Sequence, residues 1–312
     1  MRLYGTPYMG SKSRFAAEIV GFLPHAPCLV DIFAGGCAVT HAALLSGKFR
    51  RIIANDISDA PQLFIDAANG KYRDEKRWIR RDDFFALKDT DPYVRLCWSF
   101  GNNGRNYLYS REVEEWKHAL HLARVHGDTS MLANMGISSD GSRADIMAHH
   151  EEYRKKYAVW LLAQKDIKNE SGKPRKRSLQ SLQSLESLER LQRLESLESL
   201  ERLETRRGDY TKLPLSEGCI VYCDPPYRNT YGYGTAFDHE AFYSWAEQCP
   251  RPVIISEYAM PEDRFACVWE RHTTTSMAAQ GAQKKCIERM FVPRKQIGMW
   301  RILTGTLFFG DC

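Results

Sequence analysis

The sequence predicts an α/β fold of the Rossmann-like type, with a mixed, mainly parallel sheet that carries helices on both faces. Short apolar runs rich in β-branched residues alternate with stretches of helix-forming composition. The first two runs have the spacing of a β–α–β unit. A glycine-rich turn follows the first run, as it does in many nucleotide-binding sheets. We therefore expect ligands to bind at the carboxyl ends of the strands.

The first β–α–β unit is predicted within residues 28–56. Residues 28–33 (Cys-Leu-Val-Asp-Ile-Phe) have the composition of a buried strand, and Ala-Gly-Gly at 34–36 forms a tight turn. Residues 38–45 favour a helix, and residues 51–55 favour a second strand. This second strand ends at Asp56.

The remaining elements follow from the same alternation. Further strands are predicted at 94–100, 219–223, 252–256, 289–292 and 303–309, and helices near 59–69, 111–126, 150–167 and 239–248. Strands that alternate with helices favour a parallel sheet. A smaller helical or irregular region is expected beside this sheet domain.

Composition sets limits on the function. The chain has 312 residues and a net charge of +5 from 44 basic and 39 acidic residues, which permits a polyanionic partner without requiring one. No apolar stretch is long enough for a membrane span, and the N-terminus lacks the apolar core of a signal peptide, so a cytoplasmic protein with no membrane association is expected. The nine cysteines include no CxxC pair, so neither a disulfide framework nor a metal site is predicted.

Residues 178–205 form a low-complexity tract with leucine at every third position, from Leu179 to Leu203. A three-residue period drifts by about 60° per repeat around an α-helix, so no fixed apolar face is expected. Glutamate and arginine spaced i, i+4, such as Glu186 and Arg190, favour a helix. We predict that 166–207 is a linker without catalytic residues. Its basic cluster at 173–177 is either solvated or in contact with phosphates.

The most informative motif is Asp224-Pro225-Pro226-Tyr227, which follows the apolar run 219–223. Asp224 can accept a hydrogen bond from an amine, the prolines present carbonyl groups, and Tyr227 can stack on a flat ring. The motif is typical of a pocket for a planar group with an exocyclic amine. The alternative is a stiff turn with an ordinary surface aspartate.

Together, the glycine turn, Asp56 and the Asp-Pro-Pro-Tyr motif resemble those of the adenine-specific DNA methyltransferases of the Dam-like class. The resemblance implies S-adenosylmethionine as methyl donor and Asp224, Pro225, Pro226 and Tyr227 as the catalytic motif. Residues 7–12 (Pro-Tyr-Met-Gly-Ser-Lys) are similar to an N-terminal segment of that family. The residues that it implies for the cofactor pocket are Tyr8, Lys12, Asp31, Phe33, Ala34, Gly35, Asp56, Asp209, Tyr210 and Asp224. Cys37 departs from the family pattern, which has glycine there, and we expect its side chain to intrude near the cofactor.

The same resemblance divides the chain into a catalytic domain, 1–95 with 208–312, and a target recognition region within 96–165. The segment 99–107 is similar to the stretch with which Dam-like enzymes approach DNA. We predict that Asn103, Arg105, Asn106 and Tyr107 contact DNA, because Asn and Arg read base edges and phosphates. Tyr107 or Tyr109 is expected to fill the gap left by an extruded base. A plain Asn- and Gly-rich turn is the alternative.

The predicted activity is methyl transfer to the N6 amine of a flipped adenine in a specific sequence of double-stranded DNA. The alternatives are transfer to another amine (cytosine N4, RNA adenine or a glutamine amide) and a DNA-binding relative with weakened catalysis. The protein is expected to act as a monomer in a bacterial, prophage or phage context. A cognate restriction endonuclease is a candidate partner.

Overall fold

The computed structural model describes residues 3–164, 183–192, 194, 198–227, 237–275 and 284–304. The chain divides into two compact units. The first comprises Met1–Gly70 and Leu194–Cys312, and the second comprises Lys71–Arg193.

A seven-stranded sheet forms the centre of the first unit. Its strands are β1 (Cys28–Asp31), β2 (Arg51–Asp56), β3 (Leu203–Arg207), β4 (Cys219–Cys223), β5 (Val253–Glu257), β6 (Phe265–Thr275) and β7 (Lys284–Pro293). They lie in the order β3-β2-β1-β4-β5-β7-β6. The pairs from β3 to β5 are parallel, and β7 is antiparallel to both of its neighbours. The predicted Rossmann-like, mainly parallel sheet is confirmed.

The register of the central strands explains where the site forms. Every residue of β1 and β4 is buried, as expected for parallel strands covered on both faces. Asp31 at the end of β1 lies opposite Ala54 of β2 and Tyr222 of β4. Asp56 and Asp224 therefore reach the same sheet edge as Asp31, because parallel strands end on one side.

The described residues form helices of 5 to 15 residues. They are α1 (Ala16–Phe22), α2 (Ala38–Ser46), α3 (Ala60–Ala68), α4 (Arg81–Leu87), α5 (Pro92–Cys97), α6 (Arg111–His121), α7 (Ser130–Asn134), α8 (Arg143–Ala148), α9 (His150–Gln164), α10 (Gln183–Gln192), α11 (His239–Gln248) and α12 (Ile297–Thr304). A π-helical turn, Leu122–His126, continues α6. None of the helices in the described ranges is long and apolar enough to cross a membrane.

The strand predicted at 94–100 is wrong, since most of it belongs to α5. The apolar run there suggested a strand, but the residues before it are a helix start signal. The Asp91 side chain accepts hydrogen bonds from the backbone N–H groups of Tyr93 and Val94, and Pro92 occupies the first turn. At the other end of the chain, the predicted strand 303–309 begins inside α12, and residues 305–309 lie outside the described ranges.

Part of the leucine repeat forms a helix with one apolar face, so the prediction of no fixed face is wrong for α10. Leu185, Leu188 and Leu191 are all buried. At about 100° per residue, three leucines spaced by three spread over an arc of about 120°, which is an ordinary apolar stripe. The drift would matter only over a longer helix. The repeat continues through a 3₁₀-helix, Glu198–Arg202, into the edge strand β3, which the sequence did not predict. Residues 178–182, 193 and 195–197 of the repeat lie outside the described residues.

The second unit starts earlier than the predicted recognition region. Its first residues pack inside it: Tyr72 stacks on Tyr93 with ring centroids 5.5 Å apart, and Phe84 is fully buried. Residues 71–95 therefore belong to this helical unit by their contacts. Whether the unit recognises a target stays a prediction.

Candidate active site

The N-terminal segment packs directly on the glycine turn. Gly35 has a φ of +46°, and a Cβ atom on it would lie 2.7 Å from the Cε1 atom of Tyr8. A Cβ on Gly36 would lie 2.7 Å from the carbonyl oxygen of Thr6, whose own N–H donates to the Gly36 carbonyl at 2.7 Å. The turn needs glycine because another part of the chain approaches it this closely. The contact holds Tyr8 in place and leads the chain towards Lys12.

The ammonium group of Lys12 lies between two groups of the Asp-Pro-Pro-Tyr motif. Its Nζ is 2.8 Å from Oδ1 of Asp224 and 4.3 Å from the centroid of the Tyr227 ring. The site therefore combines an ion pair with a cation–π contact on one nitrogen. A carboxylate and an aromatic face that share one cationic nitrogen form a pocket that favours positive charge.

Asp224 is the acidic group of this pocket. Its side chain is 18% exposed, and burial raises its pKa to about 6, although Lys12 acts in the opposite direction. A carboxylate with a pKa near 6 is ionised for the most part at neutral pH but is poorly solvated. It therefore interacts strongly with a positive charge placed next to it.

Tyr227 is fixed by contacts that the sequence did not predict. Its hydroxyl donates to Oε2 of Glu288 on β7 at 3.0 Å. The ring of Tyr258 lies nearly perpendicular to that of Tyr227, at a centroid distance of 4.6 Å and an interplanar angle of 86°. In the sequence, Glu288 stands in an ordinary amphipathic strand, so only the pairing of β5 with β7 brings it to the motif.

The proline pair is anchored by α11. Pro225 is buried, and the carbonyl oxygen of Pro226 lies 2.9 Å from Nε2 of His239, the first residue of α11. The Nδ1 atom of the same ring lies 3.1 Å from the carbonyl oxygen of Phe237. His239 thus ties the end of the motif to the next helix. No sequence pattern pointed to it.

Asp31 is a buried carboxylate with one oxygen left unsatisfied. Its Oδ2 accepts a hydrogen bond from the Thr40 hydroxyl at 2.7 Å, whereas Oδ1 has no partner. Burial, with smaller contributions from the charges of Asp224 and Asp56, raises the pKa of Asp31 to about 7. Buried polar atoms in folded proteins nearly always have a partner. Such an arrangement suits a cationic ligand.

Asp56 closes the glycine turn. Its Oδ2 accepts from the N–H of Gly35 at 2.9 Å, and its Oδ1 accepts from both the N–H and the hydroxyl of Ser58 at 2.8 and 2.7 Å. The side chain is buried. Both oxygens already accept hydrogen bonds, so the predicted contact of Asp56 with the cofactor would have to use the remaining lone pairs. Sequence patterns could not reveal this structural role.

Rings from three segments cluster beside the turn. Phe33 lies 5.2 Å from Tyr210 and 5.7 Å from Phe237, measured between ring centroids. Asp209 precedes Tyr210 and accepts hydrogen bonds from the N–H and hydroxyl of Thr211, which hold its pKa below the ordinary value. Its carboxylate is exposed. The fold therefore brings the predicted cofactor residues Phe33, Asp209 and Tyr210 together.

The structure places Ala34 and Cys37 inside the protein. The N–H of Ala34 donates to the carbonyl of Asn55 at 2.9 Å, which ties the turn to β2. Cys37 has a φ of 58° and no exposed surface. That its side chain intrudes near the cofactor stays a prediction. Glycine is the residue that most readily adopts this left-handed backbone conformation. This explains why a glycine was expected at position 37.

The segment 99–107 of the second unit forms a hairpin-like loop. Ser99 and Tyr107 form an antiparallel bridge, and Oδ1 of Asn103 accepts from the N–H groups of Arg105 and Asn106. The side chains of Arg105 and Asn106 are exposed. Phe100 is also exposed, at 64%. The loop thus offers a cation, an amide and an aromatic ring to a partner.

The two tyrosines of this segment point away from solvent. Tyr107 is 6% exposed, and its hydroxyl donates to the carbonyl of Ile79 at 2.8 Å. Tyr109 is buried and its hydroxyl lies 2.5 Å from that of Ser184. Both rings are buried in the protein without DNA, and their roles towards DNA stay predictions. The apolar run Tyr107-Leu108-Tyr109 could have indicated burial.

Residues 8–253 match the sequence model of the D12 class N6 adenine-specific DNA methyltransferases. The chain belongs to this family. The match contains the N-terminal segment, the glycine turn and the Asp-Pro-Pro-Tyr motif, so the predicted enzyme class is confirmed. Members of this family transfer a methyl group to the N6 amine of adenine in DNA, with S-adenosylmethionine as donor.

The other comparisons are weaker. A Pyrococcus horikoshii protein assigned provisionally as an RNA methyltransferase aligns over 92% of this chain and 86% of its own, with 10% identity and a TM-score of 0.35. The rRNA methyltransferase AviRa from Streptomyces viridochromogenes aligns over 94% and 89%, with 16% identity and a TM-score of 0.36. A search of curated protein sequences finds no significant match.

The charges of the site fit the methyl donor of this family. S-adenosylmethionine carries a sulfonium and an ammonium group, and the carboxyl ends of β1, β2 and β4 present Asp31, Asp56 and Asp224. The unpartnered Oδ1 of Asp31 is a buried acceptor of the kind that a cation would satisfy. Within the described residues, no cluster of three or more potential metal ligands occurs.

Proposed function

We propose that the Asp-Pro-Pro-Tyr motif binds the N6 amine of a target adenine and stabilises the charge that develops on it. The observation that carries this proposal is the position of the Lys12 ammonium, 2.8 Å from Asp224 and 4.3 Å from the Tyr227 ring centroid. The pocket accommodates a cationic nitrogen there. An adenine amine that attacks a methyl group becomes cationic in the same way.

The chemistry of the amine explains why these groups are needed. The N6 lone pair is delocalised into the adenine ring, so the amine is a weak nucleophile. Hydrogen bonds from N6 to the Asp224 carboxylate and to the Pro225 carbonyl would localise the lone pair and stabilise positive charge in the transition state. Lys12 must leave Asp224 when the amine arrives.

Tyr227 provides the surface against which the base stacks. Stacking on an aromatic ring offsets part of the few kcal/mol that flipping a base out of the duplex costs. Because adenine N6 is paired in duplex DNA, flipping would be required for transfer in a double-stranded site. The exposed Phe100, Arg105 and Asn106 are the side chains of loop 99–107 that we expect to contact this DNA.

Bound S-adenosylmethionine would supply an electrophilic methyl group on its sulfonium. Tyr8, Lys12, Asp31, Asp56 and the ring cluster of Phe33 and Tyr210 are the residues that we expect to hold it. Two of these assignments have physical support in the geometry: the unpartnered oxygen of Asp31 and the packing of Tyr8 on the turn. Action as a monomer and pairing with a restriction endonuclease stay predictions.

The test is methyl transfer from labelled S-adenosylmethionine to double-stranded DNA, single-stranded DNA and RNA of matched sequence, followed by identification of the modified base. We expect label in N6-methyladenine of double-stranded DNA. Label in N4-methylcytosine or in RNA alone would reject the proposed substrate. Sequencing of modified bases, after expression in a host without DNA methylation, would identify the recognition site.

A further inference from the structure

The carboxylate of Glu288 holds the hydroxyl end of Tyr227. β7 runs antiparallel to β5, and their pairing ends at Glu257 and Arg289. Glu288 is the next residue of β7, just beyond the last paired residue of β5. Its Oε2 accepts the hydrogen bond of the Tyr227 hydroxyl at 3.0 Å. Burial keeps the pKa of Tyr227 well above its usual value, so the hydroxyl remains a donor.

Three contacts from different segments then define the orientation of the Tyr227 ring. Tyr258 packs against it with the two rings nearly perpendicular, Glu288 binds its hydroxyl, and Lys12 lies over one face. A tyrosine side chain has two rotatable bonds, and a contact at the far end of the ring removes the freedom that the other two contacts leave. A preoriented ring requires no ordering when a base stacks on it.

We propose that Glu288 is a positioning residue of the methyl-transfer reaction, which holds the Tyr227 ring in the plane that receives the target adenine and sets the charge environment of Asp224. This inference rests on the proposed roles of Asp224 and Tyr227. It assigns a role in base binding to a residue of β7, which lies outside the Asp-Pro-Pro-Tyr motif. The hydrogen bond and the negative charge of Glu288 are separable by substitution.

Glu288 is one of several charged groups that act on Asp224. The negative charge of Glu288 contributes to the raised pKa of Asp224, after burial. Arg271 on β6 is the cross-strand partner of Glu288, but its guanidinium pairs with Glu18 at 2.8 Å. Lys12 pairs with Asp224, the charge of the buried Asp31 is coupled to that of Asp224, and the charge of the buried Glu257 at the end of β5 acts on Tyr227.

A double-mutant cycle tests the positioning role. The variants are Tyr227→Phe, Glu288→Ala and the double variant, measured by kcat and KM for methylation of an oligonucleotide that carries the enzyme's own site. A hydrogen bond to a charged group suggests a loss of about tenfold in kcat/KM for each single variant. Because both changes break one interaction, we expect the double variant to lose about tenfold as well, not about a hundredfold.

The variant Glu288→Gln separates the charge from the hydrogen bond. Its amide oxygen can still accept from Tyr227, so we expect most of the activity lost in Glu288→Ala to be retained. Loss of the negative charge lowers the pKa of Asp224, and the acidic limb of the pH–rate profile should move to lower pH. The matched control is Glu270→Gln on β6, which removes an exposed carboxylate from the neighbouring strand. The control should leave the profile unchanged.

Two results would overturn the inference: a double variant whose loss is the product of the two single losses, or a pH–rate profile in Glu288→Gln identical to that of the wild type. Thermal unfolding and S-adenosylmethionine binding of each variant separate a folding defect from a positioning defect. The proposed function fails separately, if the wild-type protein itself does not methylate adenine.

Discussion

Replacement of Asp31 by asparagine should stabilise the ligand-free protein at high pH while it weakens cofactor binding. Asp31 is 2% exposed, its Oδ1 has no partner, and burial raises its pKa from 3.8 to about 7. A carboxyl with a raised pKa destabilises the fold when it ionises. This destabilisation is absent below the unfolded-state pKa, grows as pH rises through the interval between the two pKa values, and is complete above the folded-state pKa.

The expected magnitude follows from that shift. Each pKa unit corresponds to about 1.36 kcal/mol, so the cost of ionising Asp31 in the fold is about 1.7 kcal/mol at pH 5 and about 4 kcal/mol at pH 8. The amide of asparagine can still accept from Thr40, but its NH₂ group lacks an acceptor at a cost of about 1–3 kcal/mol. That second cost does not depend on pH. The difference in unfolding free energy between the variant and the wild type should therefore shift by about 2.5 kcal/mol in favour of the variant from pH 5 to pH 8.

Urea denaturation of the ligand-free proteins at pH 5 and pH 8 measures this difference. Asp263→Asn, which removes an exposed carboxylate from the same unit, is the control and should show no comparable dependence on pH. Calorimetry at pH 8 should show weaker S-adenosylmethionine binding in Asp31→Asn, with a smaller loss for S-adenosylhomocysteine, which lacks the sulfonium charge. An unfolding free-energy difference between Asp31→Asn and the wild type that is equal at both pH values would refute the reasoning.

Three further predictions test other parts of the account. Because burial raises the pKa of Asp224 to about 6, the initial rate of methylation should fall about tenfold per pH unit well below pH 6, and a rate that stays flat down to pH 4.5 would contradict this. Gly36→Ala places a methyl group 2.7 Å from the N-terminal segment and should lower the unfolding free energy in urea by about 1–3 kcal/mol. The control Gly21→Ala, whose added methyl group has no atom within 4 Å, should not lower it, and equal effects of the two changes would disprove the packing role. In fluorescence anisotropy titrations, Arg105→Ala should weaken DNA binding and lower the salt dependence of the binding constant by about one ion, whereas Tyr107→Phe should leave both unchanged. The reverse pattern would reject the assignment of loop 99–107 to DNA contact.

The sequence predicted the sheet edge well because local patterns determine it. Buried parallel strands are mostly apolar, as in β1 and β4, and the topology then places the residues at their carboxyl ends on one sheet edge. Asp56 and Asp224 were found in this way, whereas Asp31 was implied only by the family resemblance. The failure at 94–100 has a local cause too, since the Asp91 cap outweighs the apolar run that follows it.

Contacts between distant segments could not be predicted. Glu288 and His239 reach the Asp-Pro-Pro-Tyr motif only through the pairing of β7 and the start of α11. The burial of Tyr107 depends on the carbonyl of Ile79, which is 28 residues away. In α10, the repeat gains an apolar face because the helix is short. The contacts of Glu288 and His239 with the motif have no signature within a sequence window.

The most direct test of the central claim is labelled methyl transfer by Asp224→Asn and Asp224→Ala, with cofactor binding and thermal unfolding measured on the same samples. Asparagine keeps the shape of Asp224 but cannot supply its negative charge. We predict that both variants remain folded and lose at least about a hundredfold in the rate of adenine methylation. A folded Asp224→Asn enzyme that methylates adenine at close to the wild-type rate would contradict the account.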